Sequence, residues 1–456
     1  MTILDDLPNP PELRPARADA DKLVLCSAIA DAHRLGRAGT RANARFRVRL
    51  AVAAAVGVAV LLIAGALTLP SSSHSRQPGS RTATGPAPAP KWRLVGDVTS
   101  SWRTLSTLGY EPGLFLACPS TTTCYADNLQ QGVPGTYSEI EVTHDGGEIW
   151  QPSNLPVTLS DATPLACVDA GTCATLGIDA AGNATFLETT DGGATWASVP
   201  GPSQLTSSIG VTALACTTAE SCVAVASDPA NQSGMALTFV TNDGGATWTD
   251  SNMPSDFVPR GLDCVSAERC VVSGFHQSPE GSSTVPPGTL LYSTDDGATW
   301  TTATVPSDLG PLSSVSCADS ADCVASFFGD DGSSSEILTS TDGGQSWSEA
   351  SASGLPAAMV NGLSCPTTSE CWAAGLTRAS GGSVDSGPIA VKLGPGAQGI
   401  VASTSDGGQT WQGQQLPQGV LMVLDISCPS DTNCYALAIQ EPTPGSSLFV
   451  LLAYGS

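Results

Sequence analysis

The chain has 456 residues and a formal net charge of −24, from 18 Lys or Arg against 42 Asp or Glu. The charge is uneven: residues 1–50 carry nine Lys or Arg and six Asp or Glu, whereas residues 91–456 carry seven and 36. A domain so poor in cations lacks the clustered Lys and Arg that phosphate groups require, which argues against nucleic acid as its partner.

The N-terminal residues 1–49 have no decisive pattern. Residues 21–39, DKLVLCSAIADAHRLGRAG, are compatible with a short helix that binds a cytoplasmic partner. The alternative is a solvated tail rich in Ala and Arg. Cys26, the unpaired cysteine of the chain, is interpreted as an inert thiol in this segment.

Residues 50–69, LAVAAAVGVAVLLIAGALTL, contain no charge and are long enough to cross a bilayer as a helix. Arg residues are frequent just before this run, and the next cation is Arg76. This bias predicts a cytoplasmic N-terminus and an extracytoplasmic C-terminal part. A cleaved signal peptide is the alternative, but the 49 preceding residues favour an uncleaved anchor. Residues 70–90, rich in Ser, Pro, Gly and Ala, predict a flexible linker.

Fourteen cysteines form seven pairs, and the two members of each pair are six positions apart. The pairs are Cys118/Cys124, Cys167/Cys173, Cys216/Cys222, Cys264/Cys270, Cys317/Cys323, Cys365/Cys371 and Cys428/Cys434. Each pair brackets a polar turn between two apolar runs, which predicts two short strands with a cysteine at the turn end of each. The Cβ atoms could then reach disulfide distance across the hairpin. Structural zinc needs four ligands, and an odd number of pairs fits that requirement poorly. An oxidising location also favours seven disulfides.

A second motif, as in TTDGGATW, recurs six times in phase with the cysteine pairs. Its Asp and Trp positions are Asp145, Asp191, Asp243, Asp295, Asp342, Asp406, Trp150, Trp196, Trp248, Trp300, Trp347 and Trp411. Asp at the head of a tight turn accepts backbone N–H groups, here predicted two residues on, and the Gly two residues later is expected at positive φ. The Ser or Thr before the Trp is expected to bond the Asp, and the Trp to pack on neighbouring strands. Six copies indicate a scaffold rather than one catalytic centre. Calcium binding is the weaker alternative, because each turn offers only one or two carboxylates.

The repeat of about 50 residues predicts four short strands per unit, which is typical of a β-propeller blade. In one unit the strands are read at 360–365, 371–376, 400–405 and 411–416. Seven cysteine pairs against six Asp motifs leave the last unit one strand short. The segment SSWRTLST resembles the segments after the motif, so Trp102 is predicted to begin the missing strand and close the ring.

The pattern S/T-x-D-x-G-x-S/T-W resembles the Asp-box, or BNR, repeat of sialidase-like β-propellers and of the related photosystem II assembly and stability factors. The resemblance covers residues 91–456 and implies an all-β, seven-bladed propeller. Sialidases of this kind clamp their substrate with three Arg. No such triad is assignable among Arg93, Arg103, Arg260, Arg269 and Arg378. The conspicuous Arg patch of the photosystem factors is likewise missing from this acidic domain.

A ligand is expected on the face opposite the Cys turns and Asp motifs, because the irregular segments 275–289 and 377–399 fall there. The candidate ligand-binding residues on that face are Arg260, Arg378, Lys392, Tyr110, Phe257 and His276. The alternative is that these insertions are merely solvated. No catalytic residue, metal ligand or cofactor is assigned.

The sequence therefore predicts a single-pass membrane protein that carries a monomeric, disulfide-stapled propeller (91–456) outside the cell membrane. The expected role is non-catalytic binding or scaffolding with envelope glycans or proteins. The alternatives are a glycoside hydrolase, since 36 acidic residues could supply a catalytic pair, and a transmembrane sensor that signals through residues 1–49.

Overall fold

The structure, a computed structural model, describes residues 91–95, 115–131, 136–160, 163–206, 209–227, 236–254, 256–266, 268–276, 287–307, 309–328, 335–356, 358–377, 396–443 and 446–455. All of them lie in the compact unit Thr84–Ser456. The predicted segments 1–49, 50–69 and 70–90 lie outside the described residues. Within those residues no helix has the length and apolarity needed to span a membrane.

The described chain forms 28 strands in seven four-stranded sheets. The strand that comes first in the chain is β1 (Lys91–Leu94). The first sheet consists of β2 (Phe115–Ala117), β3 (Cys124–Gln131), β4 (Thr136–Thr143) and β5 (Gln151–Pro152). The second consists of β6 (Leu165–Cys167), β7 (Cys173–Ile178), β8 (Ala184–Thr189) and β9 (Ala197–Pro200). The third consists of β10 (Gly210–Cys216), β11 (Cys222–Ser227), β12 (Ala236–Thr241) and β13 (Thr249–Asn252).

The remaining four sheets repeat this order. The fourth consists of β14 (Phe257–Ser266), β15 (Arg269–His276), β16 (Gly288–Ser293) and β17 (Thr301–Thr302). The fifth consists of β18 (Leu312–Cys317), β19 (Cys323–Phe328), β20 (Ser335–Ser340) and β21 (Ser348–Glu349). The sixth consists of β22 (Met359–Ser364), β23 (Cys371–Thr377), β24 (Gln398–Thr404) and β25 (Gln412–Gly413). The seventh consists of β26 (Val420–Ser430), β27 (Asn433–Thr443), β28 (Ser446–Gly455) and β1.

The sheets are the blades of a propeller. The first strand of each blade contacts that of the next, in the order β2, β6, β10, β14, β18, β22 and β26, and β26 returns to β2. The ring is therefore closed, and these seven strands lie innermost. Apolar side chains fill the space between blades, as where Phe186 of blade 2 and Phe239 of blade 3 share one buried cluster. The predicted all-β, seven-bladed propeller is confirmed.

The ring closes on its outer side through β1, which pairs antiparallel with β28 so that Trp92 lies opposite Tyr454. Trp92 is buried and meets the Trp372 ring edge-on, with ring centroids 6.0 Å apart. The prediction that an N-terminal strand completes the last blade is confirmed, but its start at Trp102 is wrong. The chain uses KWRL ten residues earlier, because Trp92 there reaches an aromatic pocket formed by the last two blades.

All seven predicted disulfides are present, one in each blade. In five blades each cysteine lies at the turn end of its strand or one residue beyond it. In blade 3, for example, Cys216 ends β10 and lies directly opposite Cys222, which begins β11. The pairs cross a turn of five residues, so each disulfide holds one tight hairpin closed.

The predicted place of the cysteines at the strand ends is wrong in blades 4 and 7, where Cys270 and Cys434 lie inside their strands. β15 begins at Arg269 and β27 at Asn433, each one residue before the cysteine. The reason is an additional ladder pair in the turn, Ser266 with Arg269 in blade 4 and Ser430 with Asn433 in blade 7. The pairing Cys264–Cys270 and Cys428–Cys434 is unaffected.

The sulfurs of these two cysteines belong to the core and not to a surface turn. Cys270 and Cys434 both have an exposed fraction of 0%. Cys270 packs in a cluster with Val223 and Val240 of blade 3, and Cys434 packs in the aromatic pocket around Trp92. Their role is therefore structural, since a completely buried disulfide sulfur offers no contact to a ligand.

The innermost strands of blades 3 to 7 share a β-bulge four residues before the first cysteine of the blade. The extra residues are Thr212, Arg260, Ser313, Asn361 and Leu424. Two of them bond the next blade: Ser313 Oγ donates to Val360 O at 2.8 Å, and Asn361 Nδ2 donates to Val423 O at 3.2 Å. The bulge thus turns a side chain toward the neighbouring blade.

The strand order fixes two faces. The Cys turns and the six Asp motifs join the first to the second and the third to the fourth strands, so they share one end of the blades, here called the Asp-turn face. The links between blades and the loops between second and third strands form the opposite end, here called the loop-rich face.

Candidate functional site

Each of the six Asp motifs forms the same kind of hydrogen-bonded turn, which is described here for blade 2. Asp191 Oδ1 accepts the backbone N–H of Thr195 at 2.9 Å and the Thr189 hydroxyl at 3.0 Å, and Asp191 Oδ2 accepts the Thr195 hydroxyl at 2.6 Å. The N–H of Gly193 donates to Thr189 Oγ1 at 2.9 Å. The sequence predicted that the Asp carboxylate accepts the N–H of the residue two positions on. This partner is wrong, because the N–H of that residue, Gly193, donates to Thr189 instead. The Asp reaches the residue four positions on.

The same contacts recur at Asp243, Asp295, Asp342 and Asp406. The predicted bond from the Ser or Thr before the Trp is therefore confirmed in five turns. Hydrogen bonds from Thr195 hold the pKa of Asp191 below its ordinary value, and Thr410 does the same for the pKa of Asp406. These carboxylates stay ionised because the ionised form accepts the turn's N–H and O–H groups. Their task is structural.

The second glycine of each turn adopts positive φ, as predicted, with φ of 84° at Gly193 and 93° at Gly408. One turn departs at the preceding position, where Asp296 adopts a φ of 60° although the other turns have Gly there. The Trp that ends the turn packs inward. The Trp347 indole N–H also donates to Gly344 O at 2.9 Å.

The turn of blade 1 lacks one of these contacts. Ile149 occupies the position of Thr195, so its N–H still donates to Asp145 Oδ1 at 3.0 Å, but it has no hydroxyl for Asp145 Oδ2. The Ile149 side chain is 61% exposed, which is unusual for an aliphatic group of this size.

Several of the described residues have carboxylate or imidazole groups, which can bind metal ions. Among them, no group of three or more His, Cys, Asp or Glu side chains is arranged to hold a metal. The Asp-turn carboxylates already accept several hydrogen bonds each, which leaves few lone pairs for a cation.

Three of the six predicted ligand-binding residues fall within the described chain, and all three lie in blade 4. Arg260 is the half-buried bulge residue of β14, and its guanidinium carbon lies 5.2 Å from the centroid of the Phe275 ring. His276 ends β15, with Nδ1 3.1 Å from Asp256 Oδ1. Phe257 is completely buried and packs edge-on to His276, so it supports the His276 ring from the core and offers no surface to a ligand.

The other three predicted residues, Tyr110, Arg378 and Lys392, lie outside the described residues. The ligand-binding role of these three residues, and of Arg260 and His276, therefore stays a prediction. Arg260 and Phe275 form what is called the Arg260 cluster below, and His276 and Asp256 form a separate contact at the end of β15. Burial lowers the pKa of the Arg260 guanidinium, which nevertheless keeps its charge at any ordinary pH.

Two carboxylates on the innermost strands were not singled out from the sequence. Asp263 Oδ2 accepts the backbone N–H of Cys317 in the next blade at 2.8 Å, and Asp425 Oδ2 accepts that of Leu116 at 3.0 Å. Burial raises the pKa of each carboxyl to about 6. A usable signal existed: Asp263 directly precedes the first cysteine of its blade, where the other blades have Ala or Ser.

No protein-family model matches the sequence, and no curated protein matches it. Among solved structures, the chain is similar to YCF48 bound to D1 peptide, at 17% identity over 81% of this chain and 96% of that one, with a TM-score of 0.47. It is also similar to the GH74 enzyme of Niastella koreensis, at 15% identity over 78% and 55% of the two chains, with a TM-score of 0.47. A Hadza microbial sialidase, Hz136, matches at 13% identity over 70% and 73%, with a TM-score of 0.43. At such identities the likeness concerns the fold alone, and function has to be argued from this chain's own residues.

Proposed function

We propose that this chain is a non-catalytic binding module: a propeller held outside the cell membrane by residues 50–69, which binds an envelope protein through its loop-rich face. The observation that carries the proposal is the Arg260 cluster. Its guanidinium is partly desolvated against an aromatic ring, on a bulge in the loop-rich half of the innermost strand, and it forms no ion pair with another described residue. Arg groups of this kind, half-packed before binding, are typical of the residues that dominate protein interfaces.

A protein ligand is favoured over a glycan by the character of the surface. Among the side chains that the structure describes, every Phe, Tyr and Trp is buried or half-buried, so none of them offers an aromatic platform for a sugar ring. The contact between Asp256 and His276, with side chains 58% and 29% exposed, adds polar groups to the loop-rich face near the start of the strand that contains Arg260. Such mixed polarity suits the rim of a protein interface.

Site-specific photo-crosslinking in intact cells tests this proposal. A photoreactive amino acid at Gln204 or Asp256, both exposed on the loop-rich face, is expected to give a discrete protein adduct. The matched control is Ala246, which is exposed on the Asp-turn face of blade 3. Adding Arg260→Ala is expected to abolish the adduct. Adducts of equal strength from Ala246, or persistence after Arg260→Ala, would contradict the proposal. Binding on a glycan array without any protein adduct would replace it with a lectin-like role.

Glycoside hydrolysis is the second candidate, because Asp263 and Asp425 have pKa values near 6, in the range suited to a general acid. Both carboxylates, however, are engaged by backbone N–H groups of a neighbouring blade. Turnover of a glycan by the full chain that is lost in Asp263→Asn or Asp425→Asn would establish the hydrolase.

A further inference from the structure

The Asp-turn face contains a groove between each Asp turn and the blade before it. The residue after the Asp forms the wall of this groove, and a side chain from the preceding blade covers it in five of the six turns. Tyr435 Oη lies against Gly146 and His144 Cε1 against Gly192, and Glu188 Oε2 is the side-chain atom nearest to the position of a Cβ on Gly244, at 3.9 Å. In the fourth turn Asn242 hydrogen-bonds Asp296.

The fifth groove, between blades 4 and 5, is covered by a cation. The Cδ and Nε atoms of Arg269 lie 2.8 Å from the position that a Cβ on Gly343 would take. Arg269 directly precedes the second cysteine of its blade, at the end of the Cys turn. The stem of this Arg therefore fills the groove that a smaller side chain would leave open.

The sixth groove, between blades 5 and 6, has no such cover. Around the corresponding Gly407, a Cβ would meet only the backbone oxygen of Thr368 within 4 Å. A cavity of about 260 Å³ opens there, and Asp322 and Asp406 are among its lining residues. Asp322 occupies the same turn position as Arg269 one blade earlier. At this turn position, Arg269 closes the groove between blades 4 and 5, whereas Asp322 leaves the groove between blades 5 and 6 open and contributes a carboxylate to it.

The lining of this cavity combines an apolar floor with anionic groups. Its apolar part includes Val324 and the cysteines Cys323, Cys365 and Cys371, and Thr341 and Gln409 add polar groups. Asp406 is held ionised by the hydrogen bonds of its turn. A long cationic side chain matches this arrangement, since its methylene stem packs on apolar surface while its head stays beside the Asp322 carboxylate.

We propose that the cavity between blades 5 and 6 binds an arginine side chain of a partner protein, in the way that Arg269 fills the neighbouring groove from within the chain. Charge complementarity identifies the occupant as part of a basic protein segment. The five-residue Cys turns and the Asp turns, each counted from its Asp to the residue before its Trp, together contain 15 Asp or Glu and one Arg. A field of this sign attracts basic segments. This proposal is independent of the loop-rich face and of the function proposed for it.

Ligand-observed NMR on the full chain tests the proposal with N-acetyl-arginine amide, whose backbone charges are capped, and N-acetyl-citrulline amide as its neutral isostere. Saturable binding of the arginine probe is expected, at least fivefold tighter than that of the citrulline probe. Asp322→Asn is expected to weaken binding at least fivefold, and Asp322→Arg, which copies Arg269 into the open groove, to abolish it. Glu370→Gln is the matched control, because Glu370 has the same turn position in blade 6 and does not line the cavity.

Several outcomes would overturn the proposal. The first is the absence of binding at a probe concentration of about 10 mM, which is high enough to detect the weak affinity of a single side chain. The others are equal affinities for the arginine and citrulline probes, and equal losses of affinity in Asp322→Asn and Glu370→Gln. Retained binding in folded Asp322→Arg protein would place the probe elsewhere. Free L-arginine forms a second arm: if it binds tenfold more tightly than the capped probe, the occupant is a small molecule and not a protein side chain.

Discussion

Asp425 and Leu116 join the last blade to the first, although they are 309 positions apart: Asp425 Oδ2 accepts the Leu116 N–H at 3.0 Å. Two residues further along the same strand, Ser427 Oγ accepts the N–H of Cys118 at 2.9 Å. The ring is thus closed on the inside by side chains of β26 and on the outside by β1. Similar bonds link later blades, since Ser316 and Ser364 accept the N–H groups of Cys365 and Cys428.

Removing the Asp425 carboxyl tests this inner closure. We expect Asp425→Ala to lower the free energy of unfolding by about 1–3 kcal/mol, because it leaves the Leu116 N–H without an acceptor. Asp425→Asn keeps an acceptor oxygen and is the matched control, with little or no loss at pH 7.5. Denaturant unfolding of the oxidised protein measures both. Equal losses in the two variants would show that the charge, and not the acceptor, matters.

The raised pKa values of Asp263 and Asp425 predict that the propeller is more stable in mild acid. Their carboxyls protonate near pH 6 in the folded chain and near 3.8 in the unfolded one, so the folded state binds more protons between these values. Stability is therefore lost as pH rises from about 4 to 6, by at most about 3 kcal/mol for each group.

Calorimetry at pH 5 and pH 8 measures this effect. In the double variant Asp263→Asn/Asp425→Asn, the free energy of unfolding is expected to differ less between pH 5 and pH 8 than in the wild-type protein, and to be higher than in the wild-type protein at pH 8. If the free energy of unfolding changes between pH 5 and pH 8 by the same amount in the double variant and the wild-type protein, the effect comes from the general acidity of the chain instead.

The repeat could be predicted from the sequence because each blade needs similar residues at the same turns. The disulfide in Cys365–Cys371 and the positive φ of Gly408 follow from local geometry that a motif encodes directly. The closing strand was misplaced, because Trp92 and Trp102 both have the local character of a fourth strand. The choice between them depends on contacts with Trp372 and Tyr454, which are distant in sequence.

The exact strand ends around the cysteines were also beyond the repeat pattern. Cys270 and Cys434 have the same spacing to their partners as the other second cysteines, yet their strands begin one residue earlier. The difference comes from the ladder pairs that Arg269 and Asn433 form across their turns. Such a pair depends on the backbone conformation of one turn, which the shared spacing does not encode.

The sites were less accessible to sequence reasoning. Phe257 was expected on a surface and is in the core, since it packs with Val225 of the preceding blade and with Leu291, which are both distant in sequence. The cavity beside Asp322 was missed for a different reason. It exists because no side chain of blade 5 covers Gly407, and such a gap is a property of packing between repeats.

Restoring the hydroxyl that blade 1 lacks is expected to stabilise the protein. Ile149→Thr gives Asp145 Oδ2 the donor that Thr195 supplies to Asp191 at 2.6 Å and removes an exposed aliphatic group. We expect a gain of about 0.5–1.5 kcal/mol in the free energy of unfolding. Ile149→Val, which changes size without adding a donor, is expected to have little effect. A loss of stability in Ile149→Thr would mean that the turn of blade 1 has relaxed around its Ile.

Deleting one disulfide tests how much each hairpin staple contributes. The double variant Cys365→Ala/Cys371→Ala is expected to lose about 2 kcal/mol, because the loop it releases is short. Thermal unfolding with and without reductant measures the effect. Reduction of the wild-type protein, which opens all seven hairpins, is expected to lower the melting temperature far more. Equal melting temperatures for the reduced and oxidised wild-type protein would show that the blades hold without staples.

The outer closure makes opposite predictions for two tryptophans. Trp92→Ala is expected to cost about 3–5 kcal/mol, the usual range for deleting a large buried aromatic side chain, because its ring packs against Trp372 and Tyr454. Trp102→Ala is the matched control, with a much smaller loss, since β1 already supplies the fourth strand of the last blade. Denaturant unfolding of both variants compares them directly. A larger loss in Trp102→Ala would return the closing strand to the segment that the repeat pattern first indicated.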